Sequence, residues 1–341
     1  MSKSSYPVLV LFVLILVPQS WSISNAVVGT CRNGTHYTTV QAAIESVAAG
    51  GTVEVCPGTY PEVLTITKDL TLRGISFDNS DGVIITVPST GVPMNGTNAI
   101  WGSLAPQVLV QNATANLSNL TIDGGGGTSC ASGANTSVGV LFQQAGGSMT
   151  NSTLQNPASC INTVSVLLDH TTNLNFSNNY LWTCVLICVE IDYATATTVK
   201  GNNISSLSGV LTDFGTFAGI EIQYLGGPAT ISANDIGGGV RYGVFVQSSP
   251  SVTITDNNVM ADLQFGAGIY LVGATQATVE GNRLMAPYGV WVQDNGTAGG
   301  NTVMTNTLIG GSCGLKLTAT NQGDTTKPNT YYDESQTVCT N

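Results

Sequence analysis

The chain has 341 residues, only 9% of them charged, with nine Lys and Arg against 20 Asp and Glu and a net charge of −11. A nucleic-acid partner needs a basic stripe, and the composition excludes one. The same deficit argues against a bare polyanion as ligand unless a metal bridges it.

The first 22 residues, MSKSSYPVLVLFVLILVPQSWS, carry a Lys near the start, an apolar run from Val8 to Val17, and Ser20 and Ser22 around Trp21. This layout predicts a cleaved secretory signal peptide. The run falls short of the roughly 20 residues that span a bilayer. The expected location is therefore secreted, extracellular or periplasmic, without membrane attachment after cleavage. Residues 23–341 are expected to form one domain.

Eight cysteines in an exported chain point to disulfides. Neighbour pairing (Cys31–Cys56, Cys130–Cys160, Cys184–Cys188 and Cys313–Cys339) is the simplest of many connectivities. Residues 38–48 read as a short helix with Val40, Ile44 and Val47 on one face. The segment GTVEVCPGTYPEVLTITKDLTLRG then supplies the first strands. An open solenoid end exposes strand edges and core, and the helix is expected to cap them. Ten N-x-S/T sequons occur, at Asn33, Asn95, Asn112, Asn116, Asn119, Asn135, Asn151, Asn175, Asn203 and Asn295.

From Gly139 onward the sequence repeats. GVLFQ at Gly139 has relatives starting at Ser165, Cys188, Gly219, Gly243, Gly268, Gly289 and Gly314, spaced 21 to 31 residues apart. A second element recurs on the same beat, with Asn179, Asn202, Asn234, Asn257, Asn282 and Asn306 in common. Alternating segments such as Val252-Thr-Ile254-Thr precede these asparagines and carry the strand signal. A unit this short cannot bury its own apolar face, so it must stack on copies of itself. Strand-turn-strand units without helical periods predict an all-β fold, a single parallel β-helix. The recurrent asparagines should then bond from coil to coil, because a buried amide needs such partners. After about residue 319 the chain becomes a polar tail.

The asparagine ladder and the G-h-x-h-Q strand resemble the right-handed parallel β-helix, or pectin-lyase-like, superfamily over about residues 37–318. The resemblance implies the fold. It leaves activity open, because the superfamily holds lyases, hydrolases, esterases, epimerases and non-enzymes. GTYPEVLTI at Gly58 resembles the first segment of pectin methylesterases, but the later segments with that family's aspartates, glutamine and arginine have no counterpart. The paired-Asp, Gly-His-Gly and Arg-Ile-Lys segments of polygalacturonases are absent. Leu168-Asp169-His170 is faintly similar to the Asp-His strand of pectate lyases, without their basic residues beside Ca²⁺. No family's catalytic residue transfers onto this chain.

Strand alternation nevertheless defines a candidate site. With Ile220 and Ile222 inward, Glu221 and Gln223 face out on an exposed stripe. Extending this register gives one outward column of Leu141, Leu167, Glu190, Glu221, Phe245, Tyr270, Trp291 and Lys316. The other runs Gln143, Asp169, Asp192, Gln223, Gln247, Val272, Gln293 and Thr318. Glu221, Glu190, Asp192 and Asp169 are the candidate catalytic acids. Phe245, Tyr270, Trp291, Gln223, Gln247 and Gln293 are the candidate sugar-binding residues. Two long loops, about 77–101 and the insertion LSGVLTDFGTF before Gly219, are expected to wall the stripe.

Close carboxylates raise one another's pKa. A retaining glycosidase sets its carboxyls about 5–5.5 Å apart and an inverting one about 6.5–9.5 Å. Rung neighbours suit the first, and a diagonal pair such as Asp192 and Glu221 suits the second. No cofactor is expected; the alternative occupant of the acids is Ca²⁺. The reading is a secreted, monomeric protein that binds a polysaccharide or cell-surface glycan. Cleavage by a glycoside hydrolase or lyase mechanism remains open. The alternative is a non-catalytic surface, adhesion or scaffold solenoid.

Overall fold

A computed structural model describes residues 23–76, 82–125, 136–157, 162–206, 217–262, 264, 266–293, 299–318 and 324–340. The expected signal peptide, the Cys130–Cys160 pair, the sequons at Asn135 and Asn295 and most of the insertion before Gly219 lie outside the described residues.

Strands of two to ten residues alternate with tight corners, so each coil contributes one strand to each of three long sheets. The first sheet runs from His36–Tyr37 through Thr325–Thr326, the second from Gly58–Pro61 through Thr330–Tyr332, and the third from Leu64–Ile66 through Val338–Thr340. Among the described strands all pairings are parallel except that of Gly96–Asn98, which folds back antiparallel onto Gly102–Gln111. The polar tail adds a last coil to all three sheets, through Thr325–Thr326, Thr330–Tyr332 and Val338–Thr340.

Parallel in-register stacking makes residues two dozen apart vertical neighbours. Val189, Ile220, Val244, Ile269, Val290 and Leu315 are successive rung partners, all buried in one continuous core. The asparagines stack likewise. The Oδ1 of Asn202, Asn234, Asn257, Asn282 and Asn306 each accepts from the Nδ2 and the backbone N–H of the asparagine one coil earlier, at 2.9–3.1 Å. Asn329 extends the ladder. Each Nδ2 also donates to a buried carbonyl; that of Asn257 reaches Ile231 at 3.0 Å. The amide is fully used, which is what permits its burial. None of the sequon asparagines belongs to this ladder. A ladder asparagine has a core residue two positions on (Leu181, Ile204, Ile236, Val259, Leu284, Leu308), where a sequon needs Ser or Thr.

The helix runs over Val40–Ser46, two residues shorter than expected at each end. The Thr39 hydroxyl accepts from Ala42 N–H, and the Glu62 carboxylate accepts from Val40 and Gln41 N–H at 2.8 and 2.9 Å, which satisfies the free donors of its first turn. It ends because Val47 begins the strand Val47–Val55. Val40, Ala43 and Ile44 are buried against the first coils. Three neighbour disulfides form: Cys31–Cys56, Cys184–Cys188 and Cys313–Cys339, the last tying the final coil down.

Simple alternation fails at one place in the third sheet. Ala218 and Tyr242 face outward and pair, Ile220 and Val244 face inward and pair, and the glycines between them are skipped in the register. A Cβ on Gly243 would stand 2.6 Å from the carbonyl oxygen of Gly268 and 2.1 Å from a Val259 methyl. Glycine is required there by close approach, and the same holds for Gly219, Gly268 and Gly289. The break adds a third outward column, including Tyr242 and Tyr288, that strict period-two reading misses.

Removing one ladder amide orphans donors and a carbonyl on the preceding coil. Asn257→Ala is expected to destabilise the protein by about 2–3 kcal/mol, read as a lowered thermal midpoint by circular dichroism. Asn258→Ala, at the exposed next position, is expected to stay within about 0.5 kcal/mol.

Candidate functional site

Both outward columns stack as the register requires. Glu190 pairs with Glu221, Glu221 with Phe245, Phe245 with Tyr270, Tyr270 with Trp291, and Trp291 with Lys316. In the second column Asp169 pairs with Asp192, Asp192 with Gln223, and Gln223 with Gln247. The expectation of an exposed stripe is corrected. Glu190 and Asp192 are 0% exposed, Asp169 3% and Glu221 5%. Gln223 and Phe245 are also buried, whereas Gln247, Tyr270, Trp291 and Gln293 are half-buried.

The cover comes from the segment that carries Gly96–Asn98. Asn98 Nδ2 donates to Asp169 Oδ1 at 3.2 Å and to Asp192 Oδ2 at 3.0 Å. Trp101 Nε1 donates to both Glu190 oxygens at 2.8 and 2.9 Å. Around them lies an outward apolar patch of Leu104, Leu109, Val138, Leu141, Val164, Leu167 and Ile187. Neither Asn98 nor Trp101 sits in a repeat, so nothing in the periodic pattern marks them. Within the described part of the other wall, Phe217 packs edge-on against Tyr242 and Phe245, each at 5.2 Å between centroids.

Burial decides the electrostatics. Desolvation pushes Glu221 up to about 8, with Asp192 adding to it. Desolvation also lifts Asp192 to about 7, against the pull of its bond from Asn98 and with the help of Asp169. Glu190 is raised well above the carboxylate range by desolvation, then by Asp192 and Glu221, with Trp101 opposing. Like charges this close cannot all persist in a dry site, so the cluster holds protons at neutral pH. Gln223 Nε2 donates to Glu221 Oε1 at 2.7 Å. Glu221 Oε2 is buried and makes no hydrogen bond, whereas the Glu190 and Asp192 carboxyls are bonded to each other. The His170 ring bonds Asp169 Oδ1 at 2.8 Å. Among the described residues no group of three or more His, Cys, Asp or Glu is arranged to hold a metal ion.

The aromatic column is a wall whose rings pack on one another. Tyr270 and Trp291 stack at 4.3 Å, Phe245 and Tyr270 lie 5.4 Å apart, and Tyr242 and Tyr288 thicken the cluster. The Lys316 ammonium closes its end, 3.9 Å from the Trp291 ring centre and 4.5 Å from that of Tyr288. The ring faces are therefore largely taken up by their neighbours. The Tyr270 hydroxyl, pushed up to about 12 chiefly by desolvation, bonds the Gln293 side chain.

A further row escaped the period-two reading. The residue after each second-column position turns the corner toward the first sheet in the left-handed conformation: Asn112, Gln144, His170, Tyr193, Tyr224 and Ser248 at φ 45° to 51°, then Gly273 at 61°. For bulky residues this conformation costs on the order of 1 kcal/mol each. His170, Tyr193 and Tyr224 occupy three consecutive corners and stack at 4.8 and 5.5 Å. The signal was present as the residue following Asp169, Asp192 and Gln223.

The family described as right handed beta helix region matches residues 164–330. The chain folds as a right-handed parallel β-helix. Solved β-helices superpose on it at low identity, and the likeness is one of fold. The Dettilon tailspike protein aligns with a TM-score of 0.59 and 16% identity over 83% of this chain; the match spans only 62% of the tailspike chain. DFA-IIIase from Arthrobacter chlorophenolicus A6, in complex with DFA-III, aligns at 0.61 and 17% identity, covering 90% of this chain and 84% of its own. Alginate lyase from Paenibacillus sp. aligns at 0.56 and 13% identity, covering 92% and 99%. Comparison with curated proteins gives no match.

Carboxyls with raised folded-state pKa bind more protons folded than unfolded between about pH 4.5 and 8, so the stability they confer is lost as pH rises through that window. The thermal midpoint of the β-helix is expected to fall from pH 5 to pH 8.5. Glu221→Gln, which keeps the shape and removes the titration, should flatten that slope. An unchanged slope would place the ionised form of Glu221 in the fold.

Proposed function

We propose that this β-helix protein is exported, binds a largely neutral polysaccharide along the outward face of the third sheet, and cleaves it by acid–base chemistry centred on Glu221. The observation that carries this reading is the concentration of four carboxyls on consecutive rungs, with Glu190, Asp192 and Glu221 at raised proton affinity, immediately beside an aromatic wall and a row of glutamines. Elsewhere the chain is poor in charge, so the concentration is not a by-product of composition. Three disulfides fit an oxidising compartment. No described helix is long and apolar enough to cross a membrane. Fold neighbours that include an alginate lyase and a DFA-IIIase bound to DFA-III support a carbohydrate ligand.

Glu221 is the general acid. It is protonated at neutral pH, neither Asn98 nor Trp101 bonds it, and its Oε2 has no partner. It donates that proton to the glycosidic oxygen as the bond to the leaving sugar breaks. Asp192, the diagonal neighbour, is the base that takes a proton from the water as it attacks the anomeric carbon. Asp169 and Glu190 hold these two in place through Asn98 and Gln223. Gln247, Gln293, Tyr270 and Trp291 offer amides, a hydroxyl and ring edges to the flanking sugars. Trp291 Nε1 is buried without a partner, a donor suited to a sugar hydroxyl.

Binding without turnover is the second reading, and the complete burial of Glu190 and Asp192 favours it. In that case the acids are a neutralised polar network beneath Asn98 and Trp101, and only the rim meets the glycan.

Release of reducing ends from a panel of neutral and acidic polysaccharides separates the two. For cleavage, kcat/KM is expected to be bell-shaped with its maximum between pH 7 and 8, because Asp192 must be ionised and Glu221 protonated. Glu221→Gln and Asp192→Asn should each lower kcat at least 100-fold with little change in binding. Retention of the protein on a glycan with no product from wild type would establish the second reading. Neither binding nor product on any polysaccharide would leave a scaffold.

A further inference from the structure

We infer that the outer face of Tyr224 is a stacking platform for a single neutral sugar ring, forming with Gln247 a binding subsite at the corner beside the acid cluster. The inference rests on the reading of the third sheet as the polysaccharide face and adds a subsite to it.

The corner residues are true vertical neighbours. The backbone N–H of Gln144, His170, Tyr193, Tyr224, Ser248 and Gly273 each donates to the residue just before the next corner, at 2.8–3.2 Å. His170, Tyr193 and Tyr224 fill three successive levels with rings whose planes differ by 19° and 17°. Their inner faces cover one another, and Asp169 holds His170 at the far end. Then the row drops to Ser248 and to Gly273. The face of Tyr224 that looks down the row meets no ring for two levels, a height of about 9.6 Å at the usual strand spacing. One sugar ring in van der Waals contact, about 4 Å from the tyrosine plane, fills the place the missing ring would take. Tyr224 is 39% exposed.

The surroundings choose the ligand. Gln247 Nε2 donates to the Tyr224 hydroxyl at 3.0 Å, which ties the ring to the residue just before Ser248. Ser248 lies below, and Gln223 precedes Tyr224 along the chain. Amides and hydroxyls around an aromatic face suit a polyhydroxylated ring with an apolar face. The carboxyl cluster alongside and the net charge of −11 disfavour an acidic one. A sugar on Tyr224 sets its neighbour in the polysaccharide over Gln223 and Glu221, so the platform would fix the register of the chain across the acid.

The test is affinity gel electrophoresis with dextran, inulin, xylan and alginate as embedded probes. Tyr224→Ala removes the platform. Ser248→Tyr adds the missing ring in a backbone conformation the row already gives to Tyr224, so it covers the platform while extending the stack. In whichever neutral gel retards wild type, both variants are expected to raise the dissociation constant at least tenfold. Ser248→Tyr should keep or raise the thermal midpoint, and Tyr224→Phe should bind within about threefold of wild type. If wild type is retarded, Trp291→Ala and Gln293→Ala weaken it, and Tyr224→Ala and Ser248→Tyr leave it unchanged, the platform is overturned while the polysaccharide face stands. If alginate alone retards wild type, the neutral-ring assignment is wrong. If no gel retards wild type, the platform and the reading beneath it both fall.

Discussion

The buried ladder asparagines of this molecule find their partners one coil up or down. Water does not reach the core, and a coil of about two dozen residues has too few groups of its own. The asparagine ladder is the strictest case: each Oδ1 takes two donors from the coil before, and each Nδ2 reaches a carbonyl there. An offset of one residue in any coil would break these bonds and turn the core side chains outward. Vertical coincidence is thereby enforced on the inside, and the outside inherits it. Glu190 sits over Glu221 because Val189 must sit over Ile220.

That inheritance explains how four acids come to be neighbours at a tolerable cost. Side-by-side carboxylates in a parallel ladder repel. Here the repulsion and the loss of water are relieved by proton retention and by donors from Asn98, Trp101, Gln223 and His170. Charge is otherwise spread thinly. Among the described residues the other ion pairs, Arg73 and Arg32 with Glu54, lie on the first coils and are partly exposed.

The repeat, the sheet class, the ladder and both outward columns were legible in the sequence because each is a periodic fact. Period two gives the face, and a spacing of about 24 residues gives the vertical neighbour. What escaped was aperiodic. Asn98 and Trp101 come from a segment outside the repeat, and without them the acids read as solvated. The turn from outward to inward at Gly219 and Gly243 is a local packing event that hid Tyr242 and Tyr288. The corner row of His170, Tyr193 and Tyr224 was visible letter by letter, but its meaning depends on a left-handed backbone that alternation does not encode. Raised proton affinity followed from carboxylate proximity; its dominant cause, desolvation, required the cover.

The skipped glycines have a consequence for how the molecule tolerates change. With no side chain between strand and strand, Gly219, Gly243, Gly268 and Gly289 let the third sheet press against the second-sheet side chains Ile236, Val259, Leu284 and Leu308. Each lies two residues from an outward member of the acid and aromatic column. A methyl added at Gly243 would wedge the layers apart beneath Phe245 and tilt its neighbours on adjoining rungs. Heritable damage to the interior of this solenoid would thus surface as misaligned groups on its working face, long before the winding itself gave way.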